Sequence, residues 1–236
     1  DTTGMKNQVL IQKKQRYGFD RCYTIPGSKL VEVGDENGCT PEQLDEAIGA
    51  DTAAIAYYVE PFWDSSVVSL EEAVRVAHAR GVPVIADAAS QIYPLDYFRS
   101  TAQAADVVCF GAKYFGAPHS SGVVAGTREL VDAVVAQGFI AYHLTGRRSF
   151  GRPMKLDRQE VVGVVSALDG WFSMNHEDRF LQYDRRFSAI QQGLRGVHGL
   201  EAKIVGNHRF FQHTLHVVVD TGAVGKSAQQ IADELD

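Results

Sequence analysis

Two short runs in the middle of the chain, Val-Pro-Val-Ile-Ala (82–86) and Val-Val-Cys-Phe (107–110), are apolar at every position. Each is too short for a stable helix and has no polar alternate to turn toward water. They read as strands covered on both faces, the signature of a mostly parallel sheet. With their flanks they span Pro83–Ala88 and Asp106–Phe110. Gln8–Gln12, Lys29–Val33, Ala53–Val59 and Gly122–Gly126 are further strand candidates. Amphipathic stretches with start signals lie between them. Thr40-Pro41-Glu42 supplies an N-cap, a proline at the first helical position and an early acid, for a helix to about Ile48. Ser69 with Glu72 forms a capping box for a helix to about Arg80, and Thr127 opens another to about Gln137. The βαβαβ order predicts an α/β fold, a mostly parallel sheet flanked by helices.

The texture changes after Asp157. Asp157–Met174 and Glu177–Leu194 read as long amphipathic helices, followed by a strand at Thr214–Asp220 and a last helix. His213 and His216, at that strand, read as surface or edge residues. The expected organisation is a large α/β domain over 1–150 and the start of a smaller α+β carboxy-terminal domain over 151–236. The Arg- and Gly-rich stretch Gly146–Lys155 would link them. The chain starts at Asp1 and stops at Asp236 inside a helical pattern, so both ends read as cuts in a longer protein.

Composition removes several function classes. A net charge of -6 gives no overall attraction to nucleic acid or anionic membrane, and Lys13, Lys14 and Arg16 form only a small basic cluster. No apolar run is long enough to span a bilayer. The three cysteines form no CxxC pair, which argues against a disulfide framework or zinc site and for a reducing cytoplasm. The eight histidines form no HxH or HExxH pair, so no metal is expected.

Ligands of α/β sheets gather beyond the carboxyl ends of strands. Asp87 follows one apolar run and is followed by the small Ala88 and Ala89. Lys113 follows the next, in Gly111-Ala112-Lys113-Tyr114-Phe115-Gly116-Ala117-Pro118. A strand-end aspartate alone is more often a cap or turn residue, and a lysine in a Gly-rich loop is usually solvated. Their order and separation, one strand–connection–strand unit, let both side chains meet over one ligand. Pyridoxal 5'-phosphate (PLP) chemistry needs this pair: an amine that condenses with the aldehyde, and a carboxylate that keeps the pyridine nitrogen protonated. Trp63, Phe62, Tyr57 and Tyr58 read as core packing about twice as readily as lining of a substrate entrance.

The stretch VVCFGAKYFGAPHSSGVVAG (107–126) resembles the lysine segment of fold-type I PLP enzymes. The branch it is similar to contains selenocysteine synthase and D-glucosaminate-6-phosphate ammonia-lyase. TGMKN (3–7), GSKLVEVG (27–34) and GRPMK (151–155) agree with it, so the resemblance covers roughly residues 1–200. It implies the aminotransferase-like fold, Lys113 as the Schiff-base lysine and Asp87 as the partner of the pyridine nitrogen. Ala89 would lie against the ring and Gln91 near its 3-hydroxyl. Arg152, Lys155, His119 and Gln15 would face the substrate. A homodimer or higher oligomer is implied, because active sites of this fold type lie at a subunit interface. The family's phosphate-binding loop lies amino-terminal to the first matched segment. Three positions depart from the pattern: Phe110 where relatives often carry Ser, His119 where they usually carry Gln, and Gln15 where many carry a His that could stack on the ring.

The implied activity is that of a PLP-dependent lyase (β-elimination) or transferase acting on a small amino acid or amino-sugar acid. Racemisation and transamination use the same intermediate. A tRNA-dependent selenium transferase would require a basic surface on an acidic chain. Phe110 and Gln15 motivate a different class, a catalytically silent α/β binding or assembly module. A nucleotide-binding Rossmann domain lacks its glycine fingerprint, because no GxGxxG follows the first strand.

Overall fold

The computed structural model describes residues 3–146, 148–206 and 214–235. His213, and Arg147 of the expected link, lie outside them. The chain divides into two compact units, Asp1–Phe172 and Ser173–Asp236.

The first unit is built on a six-stranded sheet of order β2-β1-β3-β4-β5-β6. The strands are β1 (Gln8–Gln12), β2 (Lys29–Val33), β3 (Thr52–Tyr58), β4 (Val84–Asp87), β5 (Val107–Gly111) and β6 (Gly122–Gly126). β1 pairs in parallel with both β2 and β3, and β3–β4 and β4–β5 are parallel, whereas β6 returns antiparallel to β5. The helices are α1 (Arg21–Thr24), α2 (Pro41–Ala47), α3 (Leu70–Ala79), α4 (Leu95–Thr101), α5 (Arg128–Gln137), α6 (Ala141–Thr145) and α7 (Arg158–Ser173). α2 carries the capping box, with Thr40 and Gln43 exchanging side-chain and backbone hydrogen bonds. Ser69 caps α3 by accepting from the Glu72 amide. Thr127 makes no side-chain cap on α5.

Strand alternation divides the sheet's side chains between two unequal faces. On one, Leu10, Ile55, Tyr57, Val84, Ala86, Val108 and Phe110 form the main core with residues of α2, α3, α4 and α7. On the other, Val9, Ile11 and Ala56 form a small cluster covered by Tyr23 and Leu30. The strands apolar on both faces are therefore buried under helices mainly on one side. The other side, among the described residues, has the short stretch around α1.

The division between units falls after Phe172 rather than at the expected 150/151 boundary. The physical reason is aromatic. Trp171 is buried and donates its indole N–H to the Ile92 carbonyl at 3.0 Å, and Phe172 stacks on Phe98 at 5.4 Å, which holds α7 in the first unit. The second unit contains α8 (His176–Gly193), an antiparallel pair β7 (Leu200–Val205) and β8 (Thr214–Val219), and the short helices α9 (Thr221–Val224) and α10 (Ala228–Leu235).

Candidate active site

The site begins with strand register. β3, β4 and β5 place Tyr58, Asp87 and Cys109 side by side in one row at their carboxyl ends. Ala86 and Ala88 face the main core, so Asp87 between them projects from the thinly covered face, where a ligand has access. Beyond the row the backbone is drawn together. The Ala88 amide donates to the Cys109 carbonyl at 3.0 Å, and the Gly111 amide donates to the Ala89 carbonyl at 2.9 Å. A Cβ at Gly111 would stand 3.0 Å from the Tyr114 ring and 3.3 Å from the Ala89 carbonyl oxygen, so glycine allows this close approach. A 3-10 turn over Ala112–Phe115 follows at once and carries Lys113. Asp87 and Lys113 thus stand on adjoining segments joined by backbone hydrogen bonds.

Asp87 is half-buried and anchored, with Oδ1 accepting from the Ala89 amide at 3.0 Å. Oδ2 accepts a short hydrogen bond from the Tyr17 hydroxyl. The Tyr17 ring lies flat on Tyr58, with centroids 4.4 Å apart and planes 8° from parallel. Tyr58 in turn donates to Glu60 at 2.7 Å. Burial and the Asp87 carboxylate push the Tyr17 phenol well above its ordinary range. Lys113 is exposed, its Nζ 5.1 Å from the Tyr114 ring centroid, and no carboxylate pairs with it among the described residues.

Gln91 is buried one turn beyond Ala89, its amide donating to Ser90 Oγ at 3.3 Å. Gln15 is fully buried and braces β1 against β3, its Nε2 donating to the Tyr58 carbonyl at 3.1 Å. Its Oε1 is buried without a partner among the described residues. His119 is exposed in the turn before β6 and makes no polar contact with Asp87 or Lys113. Arg152 is exposed and donates to the Phe139 carbonyl at 3.0 Å, tying its own loop to the end of α5. Lys155 is exposed. The structure thus joins Asp87, Ala89, Gln91 and Lys113 along two neighbouring strand ends, with Gln15 beneath the edge. Arg152, Lys155 and His119 have no polar contact with them.

Of the aromatic group, Tyr57 is core, its hydroxyl pushed up to about 12 by burial. Trp63 donates to the Tyr58 carbonyl at 2.8 Å. Tyr57, Trp63, Tyr97 and Glu60 help to wall a cavity of about 480 Å³, which neither Asp87 nor Lys113 lines. Sequence reasoning missed Tyr17 and Tyr23, which carry no motif. The available signal was their position in the segment that leaves the carboxyl end of β1, Tyr17 in its loop and Tyr23 in α1.

Lys13, Lys14 and Arg16 do not form a free basic patch. Lys13 pairs with Glu36 at 2.8 Å, Lys14 with Asp64 at 3.6 Å, and Arg16 with Asp20 and Glu32. Among the described residues no three His, Cys, Asp or Glu side chains are grouped to hold a metal.

Cys109 provides a check on the row. Burial first, then the adjacent Asp87 carboxylate, push its thiol up to about 11. At pH 8 only about one molecule in 1,000 would carry the reactive thiolate. Iodoacetamide followed by mass mapping is expected to label the exposed Cys22 first. Labelling of Cys109 should rise about tenfold per pH unit toward pH 11. Fast labelling of Cys109 at pH 8 would contradict the described row.

No family model matches the chain. It is similar to D-glucosaminate-6-phosphate ammonia lyase of Salmonella typhimurium, 28% identical over 242 residues covering 100% of this chain and 61% of that protein. A solved structure of D-glucosaminate-6-phosphate ammonia-lyase superposes with a TM-score of 0.76 at 27% identity, covering 100% of this chain and 61% of the other. The chain is also similar to 5'-C-glycyluridine monooxygenase-decarboxylase of a Streptomyces species, 28% identical with 100% and 58% coverage. L-seryl-tRNA(Sec) selenium transferase of Moorella thermoacetica is 29% identical over 190 residues, covering 71% of this chain and 37% of that protein. The chain therefore spans about three-fifths of the length of the first two relatives. The fold is that of fold-type I PLP enzymes, and the branch resemblance read from residues 107–126 is the one these comparisons find.

Proposed function

We propose that the protein is a PLP-dependent enzyme acting on an amino acid or amino-sugar acid, as a β-eliminating lyase or a related transferase. The observation that carries this reading is the closure of Asp87, Ala89 and the Lys113 turn onto two adjacent strand ends through paired backbone hydrogen bonds. Their donor chemistry fits the cofactor. Asp87 is an anchored carboxylate that already accepts an O–H on the oxygen a protonated ring nitrogen would use. Lys113 is an amine with no carboxylate paired to it among the described residues. The buried Oε1 of Gln15, unpartnered among the described residues, lies at the carboxyl end of β1, beside the end of β3.

When bound, the cofactor would supply an electron sink for negative charge at the substrate's α-carbon. Asp87 would hold a proton on the pyridine nitrogen, stabilised by the Ala89 amide on its other oxygen. Lys113 would anchor the aldehyde end, then take and return the proton at the α-carbon through Nζ. Ala89 would let the ring lie close to the backbone, and Gln91 would stand near its 3-hydroxyl.

The lyase reading is favoured by similarity along the whole of this chain to about three-fifths of an ammonia lyase, whose name specifies an amino-sugar acid. The ion-paired state of Lys13, Lys14 and Arg16 favours a small-molecule substrate over tRNA. At least a homodimer belongs to the proposal, supported by apolar Val161, Val162 and Val165 exposed on α7. So does a reducing cytoplasm, supported by the free Cys22, Cys39 and Cys109. Among the described residues, no helix is long and apolar enough to cross a membrane.

The test is a titration of purified protein with PLP followed by visible absorbance, then a screen of amino-sugar acids and amino acids for a shift of the band. A saturable band that shifts with one substrate class supports the reading. A protein that stays colourless and binds no PLP returns the choice to the catalytically silent module.

A further inference from the structure

We infer that Tyr17 guards Asp87 in the cofactor-free protein: its phenol O–H occupies the carboxylate oxygen that the cofactor's ring nitrogen needs, and it must leave for the cofactor to dock. The inference rests on the cofactor reading above and adds a residue that no motif assigns.

Three observations support it. Both oxygens of Asp87 are engaged, Oδ1 by the Ala89 amide at 3.0 Å and Oδ2 by the Tyr17 hydroxyl. The amide belongs to the backbone that sets the site, so only the phenol is free to be exchanged. The Tyr17 ring is stacked on Tyr58, the register neighbour of Asp87, so a flat aromatic group already covers this part of the row. The tip of the arm that carries Tyr17 is open, although the Tyr17 backbone exchanges hydrogen bonds with Asp20 at 3.4 and 3.3 Å. Gly18 follows Tyr17 with no atom within 4 Å of where a Cβ would stand, and Phe19, which meets the Tyr17 ring edge-on, is 71% exposed. The arm's base is fixed by Arg16 to Asp20 and Glu32, and by the buried Gln15. A rotation of the Tyr17 side chain on this backbone therefore need not disturb β1.

A guard of this kind lowers apparent affinity by the fraction of molecules in which it is open. It also sets a ceiling on the rate of binding, because entry waits for release. A carboxylate oxygen can accept two donors, so sharing is the competing arrangement, and the two make opposite predictions. Tyr17→Phe keeps the ring and its stacking surface and removes only the O–H.

The experiment compares PLP binding to cofactor-free wild type and Tyr17→Phe, by equilibrium absorbance titration and by stopped-flow mixing, with circular dichroism to show that the variant is folded. The expected result is binding about tenfold tighter in Tyr17→Phe, the scale of one hydrogen bond to a charged group. The association rate should level off with PLP concentration in wild type and stay linear in the variant. Equal or weaker binding in Tyr17→Phe, with wild type binding normally, overturns the guard and leaves the cofactor reading intact. Absence of binding to either protein overturns the cofactor reading, and the guard with it.

Discussion

Lys113→Ala is expected to remove the visible band that forms when PLP is added, at every cofactor concentration, while the protein stays folded. Lys113 is exposed, in a 3-10 turn whose Ala112 and Phe115 are buried, and its own side chain supports no core contact, so its loss is chemical rather than structural. Turnover should fall by about 10²–10⁴-fold from loss of the acid–base group alone, and further from loss of the anchor. The control is Lys29→Ala, an exposed lysine of β2, which should keep the band. A band that survives in Lys113→Ala and disappears with another lysine would move the anchor elsewhere. Absorbance measured on the two variants and the wild type decides the matter.

The largest stability loss is expected from Trp171→Ala, at about 3–5 kcal/mol for removing a buried tryptophan. Trp171 is 5% exposed and packs in the main core. Its indole also satisfies the carbonyl of Ile92, itself fully buried and next to Gln91. Trp171→Phe should cost less, because it keeps much of the apolar contact and strands only that carbonyl, at about 1–3 kcal/mol. Urea unfolding of both variants separates packing from hydrogen bonding. A loss below about 1 kcal/mol for the alanine variant would mean that α7 does not hold this part of the core.

The fold was legible where burial forces a pattern. β1, β2 and β6 fall on the expected residues, and the apolar runs at 82–86 and 107–110 became β4 and β5 with shifts of a residue or so. β7 and α4 were not anticipated. β7 alternates apolar and polar over Leu200-Glu201-Ala202-Lys203-Ile204 but is too exposed and too short to stand out, and α4 is a short helix entered through Pro94. The covering of the sheet was only half legible. Apolar strands announce burial, but not whether helices or a short loop will supply it.

The site was legible to the same degree. Asp87 and Lys113 follow buried strands, so strand register fixes their placement once the strands are known. Tyr17 could not be found that way. Its role depends on a loop turning back across the sheet toward Asp87, and nothing within the loop's own sequence encodes that distance. At Gln15, where sequence position points to a ligand contact, Nε2 joins β1 to β3 and Oε1 is buried without a partner among the described residues.

β1 lies between β2 and β3, so Gln8 meets Lys29 on one side and Thr52 on the other. The ladder between β5 and β6 closes over a far shorter stretch, with Gly111 opposite Gly122. Loop-closure entropy makes the short connection the least costly to form, and that connection is the Lys113 turn. Lys113 therefore rides on the most local pairing of the sheet, whereas the aspartate arrives only when a crossover brings Asp87 to Cys109. On a ribosome the order of synthesis runs against the order of closure. β1 emerges first, yet Val9 and Ile11 stay without their sheet neighbour Ala56 until β3 has been made. The most local pair of the sheet, β5 with β6, is in this sense the last to be made.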